Sequence, residues 1–178
     1  MKSYLRVASF ALVAFVIFAA SARADDERGT LVRFKGGIGV HPVSNVAVVT
    51  SPSLVVTVTQ NTVRGVNPAG QIWVIDKLDA KVKTNGDIKV NGKGLVLGGG
   101  NNAGRATGQS VFATLICEAA GSFTQRNTNL AGVPLTAGGD FEIDDVLAPI
   151  PTGCDSPMLL IRNAMGQTWF AVGIPDLD

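Results

Sequence analysis

From residue 29 onward the chain reads as short runs in which apolar and polar positions alternate with a period of two. No window there sustains the 3.6-residue period of an amphipathic helix. The clearest run lies at 78–90. Leu78, Ala80 and Val82 alternate with Asp79, Lys81 and Lys83, and after Thr84-Asn85-Gly86 the alternation resumes with Ile88 and Val90 against Asp87 and Lys89. Directly paired residues share a face, so counting across the turn fixes the register. A two-residue loop would set Val82 opposite Lys89. A three-residue loop sets Val82 opposite Ile88 and Ala80 opposite Val90, brings Lys83 to Asp87, and leaves Gly86 at the left-handed position of a bulged turn. The second register is the one predicted.

Further strands are predicted at 30–35, 54–63, 72–83, 87–97, 109–118, 123–128, 140–147, 158–162 and 167–174, separated by Gly, Pro, Asn and Asp. The 109–118 run is apolar on both faces and is expected to be central. Gly36-Gly37-Ile38-Gly39 with His41-Pro42 reads as a loop, Gly92 and Gly94 as bulge or bend positions, and 98–108 as a glycine-rich connection. Roughly eight to ten short strands with frequent turn signals predict an all-β fold, a β-sandwich of immunoglobulin-like or jelly-roll type. No Trp lies between Cys117 and Cys154, so the Cys…Trp…Cys order of a true immunoglobulin domain is absent.

The amino terminus changes the picture of compartment. Lys2 and Arg6 precede an apolar run at 7–20, and Ala22-Arg23-Ala24 supplies small residues at both cleavage-determining positions. The expectation is a signal peptide at 1–24 and a single domain at 25–178, without a transmembrane anchor after cleavage. An uncleaved anchor is the alternative, but a span needs about 20 apolar residues. A mature domain of that length buries about two-thirds of its surface on folding. Both cysteines, Cys117 and Cys154, fall in the exported part, which favours one disulfide over two free thiols.

Phe34-Lys35-Gly36-Gly37-Ile38-Gly39-Val40, Arg64-Gly65-Val66-Asn67-Pro68, the 110–117 run and Leu159-Leu160-Ile161-Arg162-Asn163 together resemble a group of exported bacterial all-β proteins of uncharacterised function. That resemblance implies a bacterial, exported, single-domain protein. It carries no activity and no site residues.

Cleavage after Ala24 would leave 12 basic against 14 acidic side chains, a net charge of −2. The charges are segregated: 28–117 holds ten basic and three acidic residues, and 118–178 holds two and eight. Complementary faces within one domain account for this. The basic residues form no dense stripe with aromatics to stack on, which excludes nucleic acid as a partner.

Chemistry finds few footholds. The sole histidine, His41, precedes Pro42, and Ser44, Ser51, Ser53 and Ser110 lack a Gly-x-Ser-x-Gly setting, so no nucleophile and base pair is evident. One His and two bridged Cys do not make a zinc or copper site. Asp140, Glu142 and Asp144 stand at i, i+2 and i+4 with Asp145 beside them, a weak calcium set or a solvated strand face countered by Lys81, Lys83 and Lys89. Gly92-Lys93-Gly94 lacks the spacing of a phosphate loop. The functional expectation is an exported, non-catalytic binding or interaction module, periplasmic or secreted, without a cofactor. Its partner would be a protein or the cell envelope. The competing readings are a hydrolase using carboxylates near Asp140 to Asp145 and a calcium-stabilised structural protein.

Overall fold

The computed structural model describes residues 29–177, so the expected signal peptide lies outside the described residues. Thirteen strands and no helix make up this region: β1 (Thr30–Gly39), β2 (Val43–Val49), β3 (Val55–Gln60), β4 (Trp73–Val74), β5 (Lys77–Lys83), β6 (Asp87–Lys93), β7 (Val96–Leu97), β8 (Ser110–Ala119), β9 (Ser122–Asn127), β10 (Val133–Pro134), β11 (Phe141–Val146), β12 (Asp155–Asn163) and β13 (Trp169–Pro175). The hairpin at β5 and β6 takes the predicted register, with Val82 opposite Ile88 and Ala80 opposite Val90. Lys83 Nζ stands 3.6 Å from Asp87, and Gly86 has a φ of 91°. Leu78, Val82, Ile88 and Val90 are buried.

Where the sequence led to an expectation of stacked sheets, hydrogen bonding runs continuously through nine antiparallel strands. The order is β10-β8-β12-β13-β1-β5-β6-β11, and β9 pairs with the same edge of β8 as β10. This sheet curls until its ends meet. Asn127, the last residue of β9, and Ala148, just beyond β11, exchange two backbone hydrogen bonds of 3.0 and 2.9 Å. The core lies inside the curl, where side chains of successive strands β12, β13, β1 and β5 crowd together: a Cβ added at Gly173 would lie 3.0 Å from Leu78, 3.2 Å from Phe34 and 3.3 Å from Leu159. As expected for a central strand, β8 is buried at every residue from 111 to 117.

Three local readings are corrected. Gly36 to Gly39 is not a loop but the end of β1, which pairs onward with β13 through Gly37, Ile38 and Gly39 after a bulge. Its glycines serve close approach: a side chain at Gly39 would run into the Trp73 backbone. Gly92 lies in regular register between Leu78 and Phe141, and its missing side chain makes room for the Phe141 ring. Finally, 72–83 and 87–97 each break in two. Gly94, at a φ of 66°, turns the chain beside Asp76, whose N–H donates to Lys93 O at 3.0 Å, and β4 and β7 leave the main sheet to pair with each other. Trp73 of β4 stacks on Phe170 of β13, ring centres 3.9 Å apart.

Candidate interaction surface

The carboxylates singled out from the sequence do not converge. Asp140 Oδ1 accepts the Gly94 N–H at 3.0 Å and so holds a turn. Glu142 lies opposite Asn91, and Asp144 meets Lys89 Nζ at 2.7 Å. Asp145 points the other way and accepts the Asn129 N–H at 2.7 Å. Asp140, Glu142 and Asp144 are exposed, and among the described residues no group of three or more His, Cys, Asp or Glu side chains is placed to hold a metal ion.

The acidic strand does lie beside the basic hairpin, so Arg33, Lys81, Lys89 and Asp144 form a cross-strand row over β1, β5, β6 and β11. A groove of about 210 Å³ runs there, lined in part by Arg33, Lys35, Lys81 and Lys89. Its charges are internally matched: Lys89 with Asp144, and Lys35 with Asp176 at 2.9 Å. The hydrogen bond and charge of Asp144 raise the Lys89 pKa above the usual lysine value. A second groove, of about 500 Å³, is lined by His41, Pro42, Val43, Gly70, Gln71, Ile72, Gly99 and Gly100. It gathers the histidine and the glycine-rich turn, but its wall holds no serine, cysteine or carboxylate. None of the four carboxylates lines either groove.

Cys117 and Cys154 form a disulfide, Cα atoms 4.7 Å apart, tying the proline-rich crossover before β12 to the central strand β8. A buried polar cluster stands on the other face of β8. Arg162 Nη1 donates to Thr114 Oγ1 at 3.3 Å and Gln125 Oε1 at 3.0 Å, its Nε donates to Gln167 O at 2.9 Å, and its guanidinium lies over Phe112. Burial lowers the Arg162 pKa. With its donors directed at neighbouring strands, this cluster is a structural brace.

The feature with no internal explanation is the ribbon formed by β2 and β3, which pair with each other and with no other strand. Sequence reading missed β2 and with it this surface. Every residue of both strands is exposed, although β-branched runs ordinarily signal burial. The register places Val46 opposite Val58 and Val48 opposite Val56 on one face, and Asn45 opposite Thr59, Ala47 opposite Thr57 and the exposed Val49 opposite Val55 on the other. Each of the four valines on the apolar face is more than half exposed, at 54–56%. No Asp, Glu, Lys or Arg occurs between Lys35 and Arg64, and that uncharged stretch was the available signal. The root of the ribbon is firmly held. Trp169 Nε1 donates to Asn61 O at 3.0 Å, and Arg64 Nη1 donates to Ile116 O at 3.1 Å and Ser156 O at 2.6 Å while lying over the Phe123 ring. Ile72 and Val74, flanking Trp73, extend exposed apolar surface onto the body.

No family model matches the chain, and neither a curated protein nor a solved structure matches it.

Proposed function

We propose that this protein is an exported, single-domain, non-catalytic interaction module whose contact surface is the β2–β3 ribbon. The observation that carries the reading is the uncharged valine face held out from a well-anchored root. A two-stranded ribbon gains little stability alone in water and needs a covering layer, and contiguous exposed apolar surface marks sites of contact. Export is supported by the leader-like residues 1–24 and by the Cys117–Cys154 bridge, since disulfides persist in oxidising compartments. No helix among the described residues is long and apolar enough to cross a membrane. The carboxylate hydrolase and calcium readings gain no support, because their residues are spread along an open face.

The test is a photo-crosslinking residue introduced at Val56 in the exporting cell, with the same residue at Glu142 as a control on the exposed charged face. A discrete adduct from position 56 and none from 142 is the expected result. Absence of any adduct from position 56, or equal labelling from both, would refute the assignment of the surface.

A further inference from the structure

We infer that Arg126 anchors a binding site for a small carboxylate anion, set on the inner face of the curled sheet beside the seam where its ends meet. Arg126 lies opposite Leu115 of β8, and Leu115 lies opposite Leu159 of β12. Directly paired residues share a face, and the Leu159 face is the one that crowds around Gly173 with Phe34 and Leu78. The alternation of β9 therefore puts a cation on the core side of the sheet, one residue before the Asn127–Ala148 bridge. Only 7% of Arg126 remains exposed.

A buried charge is ordinarily paired and hydrogen-bonded, because leaving water costs it more than one weak contact returns. Arg162, also buried, has its donors on Thr114, Gln125 and the Gln167 carbonyl. Arg126 is not satisfied in this way. Its Nη1 donates to Thr124 O at 3.3 Å, beyond the usual N–H···O range of about 2.7–3.2 Å. Its Nε is sealed from solvent and donates to nothing, and among the described residues no acidic side chain pairs with the guanidinium. Asp145, the acidic residue at the seam, is committed elsewhere: Oδ2 accepts the Asn129 N–H and Oδ1 the Val146 N–H. With Nη1 turned to Thr124, the remaining edge of the fork is Nε with Nη2, two parallel N–H groups spaced for the two oxygens of a carboxylate. That edge selects the ligand class. An uncharged ligand leaves the cation unpaired, and a doubly charged phosphate brings more charge into a nearly dry site than one guanidinium balances. A monocarboxylate matches it in charge and in hydrogen bonds. The site uses no residue of the β2–β3 ribbon, so the two surfaces are tested separately.

Sodium formate is the probe, exchanged for sodium chloride at a constant total of about 0.2 M so that screening stays fixed, in the purified, disulfide-intact protein. The Arg126 Nε–H resonance, identified by its absence in Arg126→Lys, should shift saturably as formate is added. The thermal midpoint should rise by roughly 3–6 °C at about ten times the dissociation constant. Arg126→Lys keeps the charge without the fork and should weaken formate at least about tenfold, and Arg126→Met should abolish the response. Near-ultraviolet dichroism from the Trp73–Phe170 stack reports whether the variants remain folded. An Nε–H resonance that formate leaves in place, or a midpoint rise of equal size in the wild type and Arg126→Met, overturns the inference. If Arg126→Met does not fold, the Nε–H titration of the wild type decides by itself: saturation supports the site, and an unmoved signal removes it.

Discussion

Lys89 and Asp144 face each other on neighbouring strands with 2.7 Å between charged atoms. Because the lysine gains a hydrogen-bonded carboxylate on folding, its folded pKa is raised. Such a base contributes stability that is complete below its unfolded pKa, near 10.4, and is lost as pH climbs through the raised folded value. Both side chains are exposed, so salt screens the effect. Asp144→Asn should return the Lys89 titration to the ordinary lysine range, as read from its side-chain carbon shifts by NMR; an unchanged titration would detach the shift from Asp144. The residues forming this pair were visible in the sequence through strict alternation on both strands. Gly39 and Gly92 were misread for a different reason. A glycine needed for close approach looks in sequence like a glycine needed for a turn, and the Trp73 backbone and Phe141 ring that require them arrive from distant parts of the chain.

At the level of elements, the β5–β6 hairpin was legible because its register follows from rules acting within a dozen residues: side-chain period, turn chemistry and opposite charge. The ribbon was not. A run such as Val55-Val56-Thr57-Val58-Thr59 encodes a strand, but what covers it depends on partners the local pattern does not name. The disulfide lies between these cases, since a chain with two cysteines leaves one pairing. It closes a loop with a sequence separation of 37, for which chain entropy gives about 4 kcal/mol. Replacing both Cys117 and Cys154 by serine should therefore lower the thermal midpoint by roughly 10 °C at this domain size. Reductant should do the same to the wild-type protein in a melting experiment, and an unchanged melt would show that the bridge contributes nothing to stability.

For the molecule as a whole, the sequence announced an all-β chain with β8 central, and that much is present. Closure into one curled sheet was not legible, because it rests on pairings such as β1 with β13 and β8 with β12 that join remote segments without a local signature. The closure is also uneven. β8 and β12 share a long register of pairs, whereas the seam between the end of β9 and the end of β11 is held by the Asn127–Ala148 bridge and the Asn129 N–H bond to Asp145. A ring with one thin link has a built-in place to breathe. Local opening there separates the two ends of the sheet while the remaining ladders stay intact, so amide hydrogens should be replaced by deuterium in a set order. Asn127 and Ala148 should exchange well ahead of Leu115 and Leu160, and simultaneous protection of all four would mean that the ring opens only when the whole molecule unfolds.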